Sequence, residues 1–206
     1  MSRLLLVRHG ETSLNSSLRF WGKTDVELGN AGIQQAQCLR DRLAGEKINF
    51  TYSSQLKRSI ITAETIIFIH NLKVIQCSHL NEIDFGELEG LDFQEVKERY
   101  PEVTRRWIQH DLELKYPGGE SLRQMQARVK EFMNLLNAHN ENETVLIVAH
   151  SGILRTLICQ LLGLQMDHFW NLRIDLASLS IIETYANTAI LNLLNDVSHL
   201  VKGKNI

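Results

Sequence analysis

The chain has 206 residues, 44% hydrophobic and 22% charged, a composition that excludes disordered, collagen-like and low-complexity classes. With 22 Lys+Arg against 24 Asp+Glu the net charge is −2, so nothing attracts the molecule globally to nucleic acid or an acidic membrane, and only a local basic pocket stays open. The strongest apolar runs, Leu4–Val7 and Val145–Val148, fall far short of the roughly 20 residues of a membrane span. One domain over residues 1–206 with a full core is expected at this length. Met1-Ser2-Arg3 leads straight into a strand-like run without signal-peptide architecture, which predicts a cytoplasmic protein. Cys38, Cys77 and Cys159 are odd in number, far apart and without a CxxC pair; they read as small hydrophobes, not as a disulfide framework or thiolate metal site.

In chain order, Leu4–Val7 reads as a strand buried on both faces. Asn30–Ala44 reads as a helix, with Ile33, Ala36, Leu39 and Leu43 on one face and Gly45 to end it. Phe50–Ser53 is a short strand. Leu56, Ile60, Ala63 and Ile67 mark a second helix capped by Ser53 or Ser54, and Val74–Cys77 a third strand. Residues 80–118 are irregular and charged, with helical pieces over Asp92–Tyr100 and Val103–His110. A long helix after Gly119 carries Leu122, Met125, Val129, Phe132 and Leu136. Val145–Ala149 is another doubly buried strand, Ile153–Leu162 the helix after it, and Leu179–Tyr185 with Ala189–Leu194 a terminal hairpin. The alternation predicts an α/β fold of three layers: an open, mostly parallel sheet with helices on both faces and a C-terminal hairpin. In such a sheet, ligands bind beyond the carboxyl ends of the strands at the topological switch point.

The two strongest strands end alike. Leu4–Val7 is followed by Arg8-His9-Gly10, and Val145–Val148 by Ala149-His150-Ser151-Gly152. If the strands are neighbours, both imidazoles face one crevice, whereas His70, His79, His110, His139, His168 and His199 read as structural. No HxH or HExxH occurs, and Arg8 beside His9 repels a cation, so no metal site is expected. An anion fits better. Arg8 offers a planar fork, Arg58 lies in the first turn after the second strand, and the amides of Ser151-Gly152 open a helix. A neutral imidazole in such a pocket can accept a phosphoryl group in line while the donors stabilise the equatorial oxygens. His9 then needs an acceptor for its other nitrogen, and the leaving alcohol needs a carboxylic acid, for which Glu82, Asp84, Glu87 and Glu89 all remain open. Asp84, Glu87 and Glu89 otherwise read as a solvated acidic loop.

Leu6 through Asn15 resembles the signature of the histidine phosphatase superfamily, the phosphoglycerate mutase-like fold. Arg19 through Leu28, Ser53-Ser54 through Lys57-Arg58, Leu80-Asn81-Glu82 with Gly86 and Glu89-Gly90, and Val148-Ala149-His150 resemble its further blocks, in family order from about residue 4 to about residue 155. The resemblance implies that His9 is the phosphorylated nucleophile, that Arg8, Arg58 and His150 form the phosphate pocket, and that Glu82 is the general acid and then the base. Asn15 would be a further phosphate donor, and Trp21 and Gly22 would line the substrate side. No metal or organic cofactor is implied. Arg105-Arg106 is faintly similar to a pair found in the mutases, but no proline run follows, and Tyr116-Pro117-Gly118-Gly119-Glu120-Ser121 looks like the phosphatase branch, which includes α-ribazole phosphatases. Leu88 departs from the tryptophan many of these phosphatases have at that place. The expectation is a phosphomonoester hydrolase, with α-ribazole 5′-phosphate as first substrate. A broad-specificity phosphatase, a phosphoglycerate mutase and a non-enzymatic binding module are the alternatives. The expected partner is a small phosphorylated metabolite, not nucleic acid or membrane. The hairpin with residues 197–200 is a candidate dimer contact or edge cap.

Overall fold

The computed structural model describes residues 2–15, 19–139 and 142–200. Within them, strands β1 (Ser2–Arg8), β2 (Phe50–Ser53), β3 (Val74–Gln76), β4 (Thr144–Ala149), β5 (Leu179–Thr184) and β6 (Ala189–Asp196) form one sheet in the order β3-β2-β4-β1-β5-β6. The first four are mutually parallel, while β5 runs antiparallel to β1, and β6 to β5. The helices are α1 (Asn30–Leu43), α2 (Lys57–Ile67), α3 (Phe93–Arg99), α4 (Pro101–Ile108), α5 (Leu122–Leu136) and α6 (Ser151–Leu161). This is the expected mostly parallel α/β sheet with a terminal hairpin.

Alternation along the strands explains the layers. Leu4, Leu6, Val145, Ile147 and Ile182 pack with α5 and α6 through Met125, Val129, Phe132, Ile153 and Leu157. Leu5, Val7, Leu146, Val148 and Leu179 point the other way, onto Leu39 and Leu43 of α1 and Ala63 and Ile66 of α2. β1 and β4 are apolar on both faces because both faces are covered. The chain leaves β1 toward the α1–α2 layer and leaves β4 toward the α5–α6 layer, so the crevice between their carboxyl ends is the switch point.

Several local expectations are corrected. Ile33 is 40% exposed; the buried position on that turn of α1 is Gly32. A Cβ on Gly32 would meet the Glu11 carbonyl oxygen at 2.0 Å, and one on Gly10 would meet the Gly32 carbonyl oxygen at 2.6 Å, so the loop after β1 lies directly on α1. Neither Ser53 nor Ser54 caps α2, whose N-cap is Leu56 without a side-chain bond. By contrast α3 and α5 begin with full capping boxes, Asp92 with Glu95 and Ser121 with Gln124. β6 extends two residues beyond the expected Leu194. Leu200 turns back onto the α1–α2 layer, and His199 Nε2 lies 2.9 Å from the Ala177 carbonyl, so residues 197–200 cover this chain's own core. Cys77 and Cys159 are buried, Cys38 is half-buried, and all are free. Among the described residues no helix is long and apolar enough to cross a membrane.

Candidate active site

Register brings the two histidines together. Arg8 at the end of β1 pairs with Ala149 at the end of β4, and the His9 amide donates to the Ala149 carbonyl at 3.0 Å. The residue after β4, at the N-cap of α6, is His150; the two rings lie 5.0 Å apart, tilted by 60°, and both residues are buried. His9 Nδ1 sits 2.7 Å from the Gly10 carbonyl oxygen. A carbonyl only accepts, so Nδ1 carries the hydrogen and the neutral ring keeps its lone pair on Nε2. His150 has the same kind of definition. Arg58 Nε donates to its Nδ1 at 3.3 Å, which leaves Nε2 as the donor to Ser54 Oγ at 2.8 Å. Burial, then the charges of Arg58 and Arg8, hold His9 well below the ordinary imidazole range, the Gly10 bond opposing them. His150 is held down in the same way, by burial first and then Arg58.

Arg58 is almost fully buried in the first turn of α2. Its terminal nitrogens donate to the carbonyls of Thr24 and Gly22, each at 2.7 Å. These carbonyls are held from behind by Glu89, whose carboxylate accepts the backbone N–H groups of Gly22, Lys23, Thr24 and Phe85 and the Thr24 hydroxyl. Glu89 is therefore the post on which the 22–24 loop hangs, not a solvated acid. Gly22 lies behind the arginine and not on the cleft wall as expected. Arg8 donates to the Ile174 carbonyl at 2.7 Å, while its buried Nε has no partner. Arg8, His9, Asn15, Trp21, Arg58 and Glu82 line one cleft. The Asn15 amide oxygen accepts the Thr12 N–H and hydroxyl at 2.8 and 2.9 Å, which leaves its NH2 group as the remaining donor.

Glu82 alone of the candidate carboxylates lines this cleft. Asp84 binds the Gly86 amide and Lys23, and Glu87 accepts the Tyr100 hydroxyl. The Glu82 carboxylate accepts the Ile83 amide at 3.0 Å and the Gly152 amide at 3.2 Å. The start of α6 is thus occupied by Glu82, correcting the expectation of free amides there, and Ser151 faces the neighbouring pocket instead. A Cβ at position 152 would meet Glu82 Oε1 at 2.6 Å, so a glycine is what lets the carboxylate close on the helix. Trp21 and Glu82 also border that second pocket, walled by Phe20, Phe85, Trp107 and Trp170. Phe20 makes edge contacts with Phe85 and Trp107, so these aromatics are both packing and wall. Arg105 and Arg106 are engaged outside it, by Glu102 and Asp111. Among the described residues no three His, Cys, Asp or Glu side chains are grouped to hold a metal ion. Ser54, the anchoring role of Glu89, and Arg155 on the second pocket were not anticipated. Arg155 stands one turn after Ser151 on the same helix, a spacing that could have singled it out.

Residues 4–197 match the model of the histidine phosphatase superfamily (branch 1). The chain belongs to that superfamily. The chain is 38% identical over 200 residues to phosphoserine phosphatase 1 of Hydrogenobacter thermophilus, covering 97% of this chain and 95% of that one. It is 31% identical over 194 residues to the adenosylcobalamin/α-ribazole phosphatase of Escherichia coli, covering 94% and 95%. The α-ribazole phosphatase structure from Shigella flexneri superposes with a TM-score of 0.87 at 31% identity, over 94% of this chain and 96% of that one. Phosphoserine phosphatase from Entamoeba histolytica in complex with 3-phosphoglyceric acid gives 0.85 at 27%, over 98% and 100%. The chain is accordingly a phosphatase of the histidine phosphatase family.

Proposed function

We propose that this family member hydrolyses small phosphomonoesters through a phosphohistidine at His9. The observation that carries the reading is the Gly10 carbonyl on His9 Nδ1, which leaves Nε2 unprotonated beside two guanidinium groups. His9 Nε2 attacks phosphorus as the ester P–O bond breaks, and Glu82 gives its proton to the departing alkoxide. Water then attacks phosphorus, the P–N bond breaks, and Glu82 takes the proton from the water. Arg8, Arg58, His150 and Asn15 hold the three non-bridging oxygens, over which the charge of a loose transition state is spread, so they position the phosphoryl group and stabilise its charge. For His150 to donate as well, its Nδ1 takes a proton from solvent and the Arg58 Nε–H turns from that nitrogen to the incoming dianion, whose charge favours the imidazolium. Ser151 and Trp21 belong to the leaving-group side.

α-Ribazole 5′-phosphate is supported as a substrate by the aromatic walls Phe20, Trp21, Phe85 and Trp107 and by the E. coli relative. O-Phosphoserine is supported by the higher identity to the Hydrogenobacter enzyme. A mutase is disfavoured, since Arg105 and Arg106 are spent on their own acidic neighbours. A mere binding module is disfavoured by the complete set of nucleophile, guanidinium groups and acid in one cleft.

The test is a rapid acid-free quench with 32P-labelled substrate. An alkali-stable, acid-labile adduct should form on His9 and be absent in His9→Ala, with turnover lost by about four orders of magnitude or more. Near-normal kcat in His9→Ala would falsify the reading.

A further inference from the structure

The pocket beyond Glu82 contains an arginine whose buried Nε has no hydrogen-bond partner among the described residues. Arg155 rises from α6 into the wall that also holds Phe20, Trp21, Ser151 and Trp170. Its Nε is buried without a hydrogen-bond partner, and its guanidinium carbon lies 5.4 Å from the Phe169 ring centre. No carboxylate pairs with it among the described residues, although Arg19, the other cation of this pocket, is committed to Glu95 and the Gly90 carbonyl. Trp170 Nε1, a donor in the same wall, is likewise buried and unpartnered. A guanidinium has five N–H groups in a rigid plane and no acceptor, so leaving its buried Nε–H unpaired beside aromatic surface costs stability unless a ligand completes it.

The position says what that ligand is part of. With the phosphoryl group at His9 and the ester oxygen at Glu82, the remainder of the substrate must run past Glu82 into this pocket, whose wall Arg155 forms. The charge says what it is. One unpaired guanidinium, with the Glu82 carboxylate as its strongest opposite-charge neighbour, neutralises a single negative charge and leaves nothing for a second phosphate dianion. The Nε and terminal N–H edge of an arginine is the fork that a carboxylate fits with two parallel hydrogen bonds.

We propose that Arg155 reads a carboxylate on the leaving group, so that the enzyme prefers phosphate esters of small hydroxy acids over esters of the same alcohols lacking that group. The proposal rests on the phosphatase reading above, and names the class of substrate for that site.

Two matched pairs of compounds differ in this respect: O-phosphoserine with phosphoethanolamine, and 3-phosphoglycerate with glycerol 3-phosphate. In the wild type the carboxylate-bearing member of each pair should have a kcat/KM higher by about tenfold or more, carried mainly in KM. In Arg155→Met, whose unbranched stem keeps the packing over Phe169, the ratio within each pair should fall toward one. Arg155→Lys, which retains the charge without the fork, should keep part of it. A wild-type ratio near one, or a ratio that survives in Arg155→Met, overturns the proposal. If p-nitrophenyl phosphate too were not turned over by the wild type, the phosphatase reading would be what failed. Calorimetric binding of 3-phosphoglycerate against glycerol 3-phosphate, in the wild type and in Arg155→Met, would then decide the carboxylate question by the same ratios.

Discussion

At the scale of single residues, the acid and the two imidazoles make different demands. Glu82 sits between the cleft and the leaving-group pocket, held by the Ile83 and Gly152 amides. Glu82→Gln keeps the shape and removes the proton. Its kcat/KM should drop by about 10²–10³ on alkyl phosphates and far less on p-nitrophenyl phosphate, whose phenolate leaves unaided. Equal losses on both would remove Glu82 from the acid role. The histidines leave a trace in stability. Their folded-state values lie well below the ordinary one, chiefly through burial. As pH falls through about 6.5 the unfolded chain therefore binds protons that the folded chain refuses. Stability is full above that value and declines below it, by up to about 1.4 kcal/mol per pH unit for each histidine, until the folded-state values are reached. Urea midpoints between pH 7.5 and 5 should show this decline, and His150→Gln should flatten it. His199, also lowered by burial, adds a smaller slope in the same window and is untouched by that variant. An unchanged slope in His150→Gln would contradict the burial argument.

At the scale of elements, the strands were the legible part. Leu4–Val7 and Val145–Ala149 are apolar without alternation because both faces are covered, and each hands on a histidine, so the pattern put His9 and His150 at the carboxyl edge of the sheet, while the pairing of β1 with β4 is what brings them together. What stayed hidden depends on contacts distant in sequence. Nothing local says that Glu82 would fill the start of α6, 70 residues on, or that Gly32 rather than Ile33 would face the core. The role of Glu89 was equally illegible, since an acid before Gly90 looks like any loop carboxylate until the 22–24 loop folds over it. That arrangement yields a prediction. Glu89→Gln offers an amide where several donors need a carboxylate, and should cost about 2–4 kcal/mol in stability. Because Arg58 depends on the carbonyls of Gly22 and Thr24, the inhibition constant for inorganic phosphate should also rise, by about tenfold or more. Loss of stability with an unchanged phosphate constant would mean that Glu89 holds the loop without positioning the arginine.

At the scale of the molecule, the site and most of the apolar packing lie in different places. Phe132 is fully buried in the α5–α6 layer, edge-on to Tyr52. Phe132→Ala should lower unfolding free energy by about 3–5 kcal/mol while kcat at 25 °C changes less than twofold, read by urea unfolding beside a phosphatase assay. A large loss in kcat would show that the helical layer transmits strain to the strand ends. The strand order has a temporal consequence as well. β1 lies between β4 and β5, so His9 is synthesised while both neighbours of its strand are still unmade. The nascent chain must carry this apolar segment without a strand partner until β4 has emerged, and with one edge open until β5 follows, so β1 is exposed to mispairing through that interval and the His9–His150 pair cannot assemble before β4 is made.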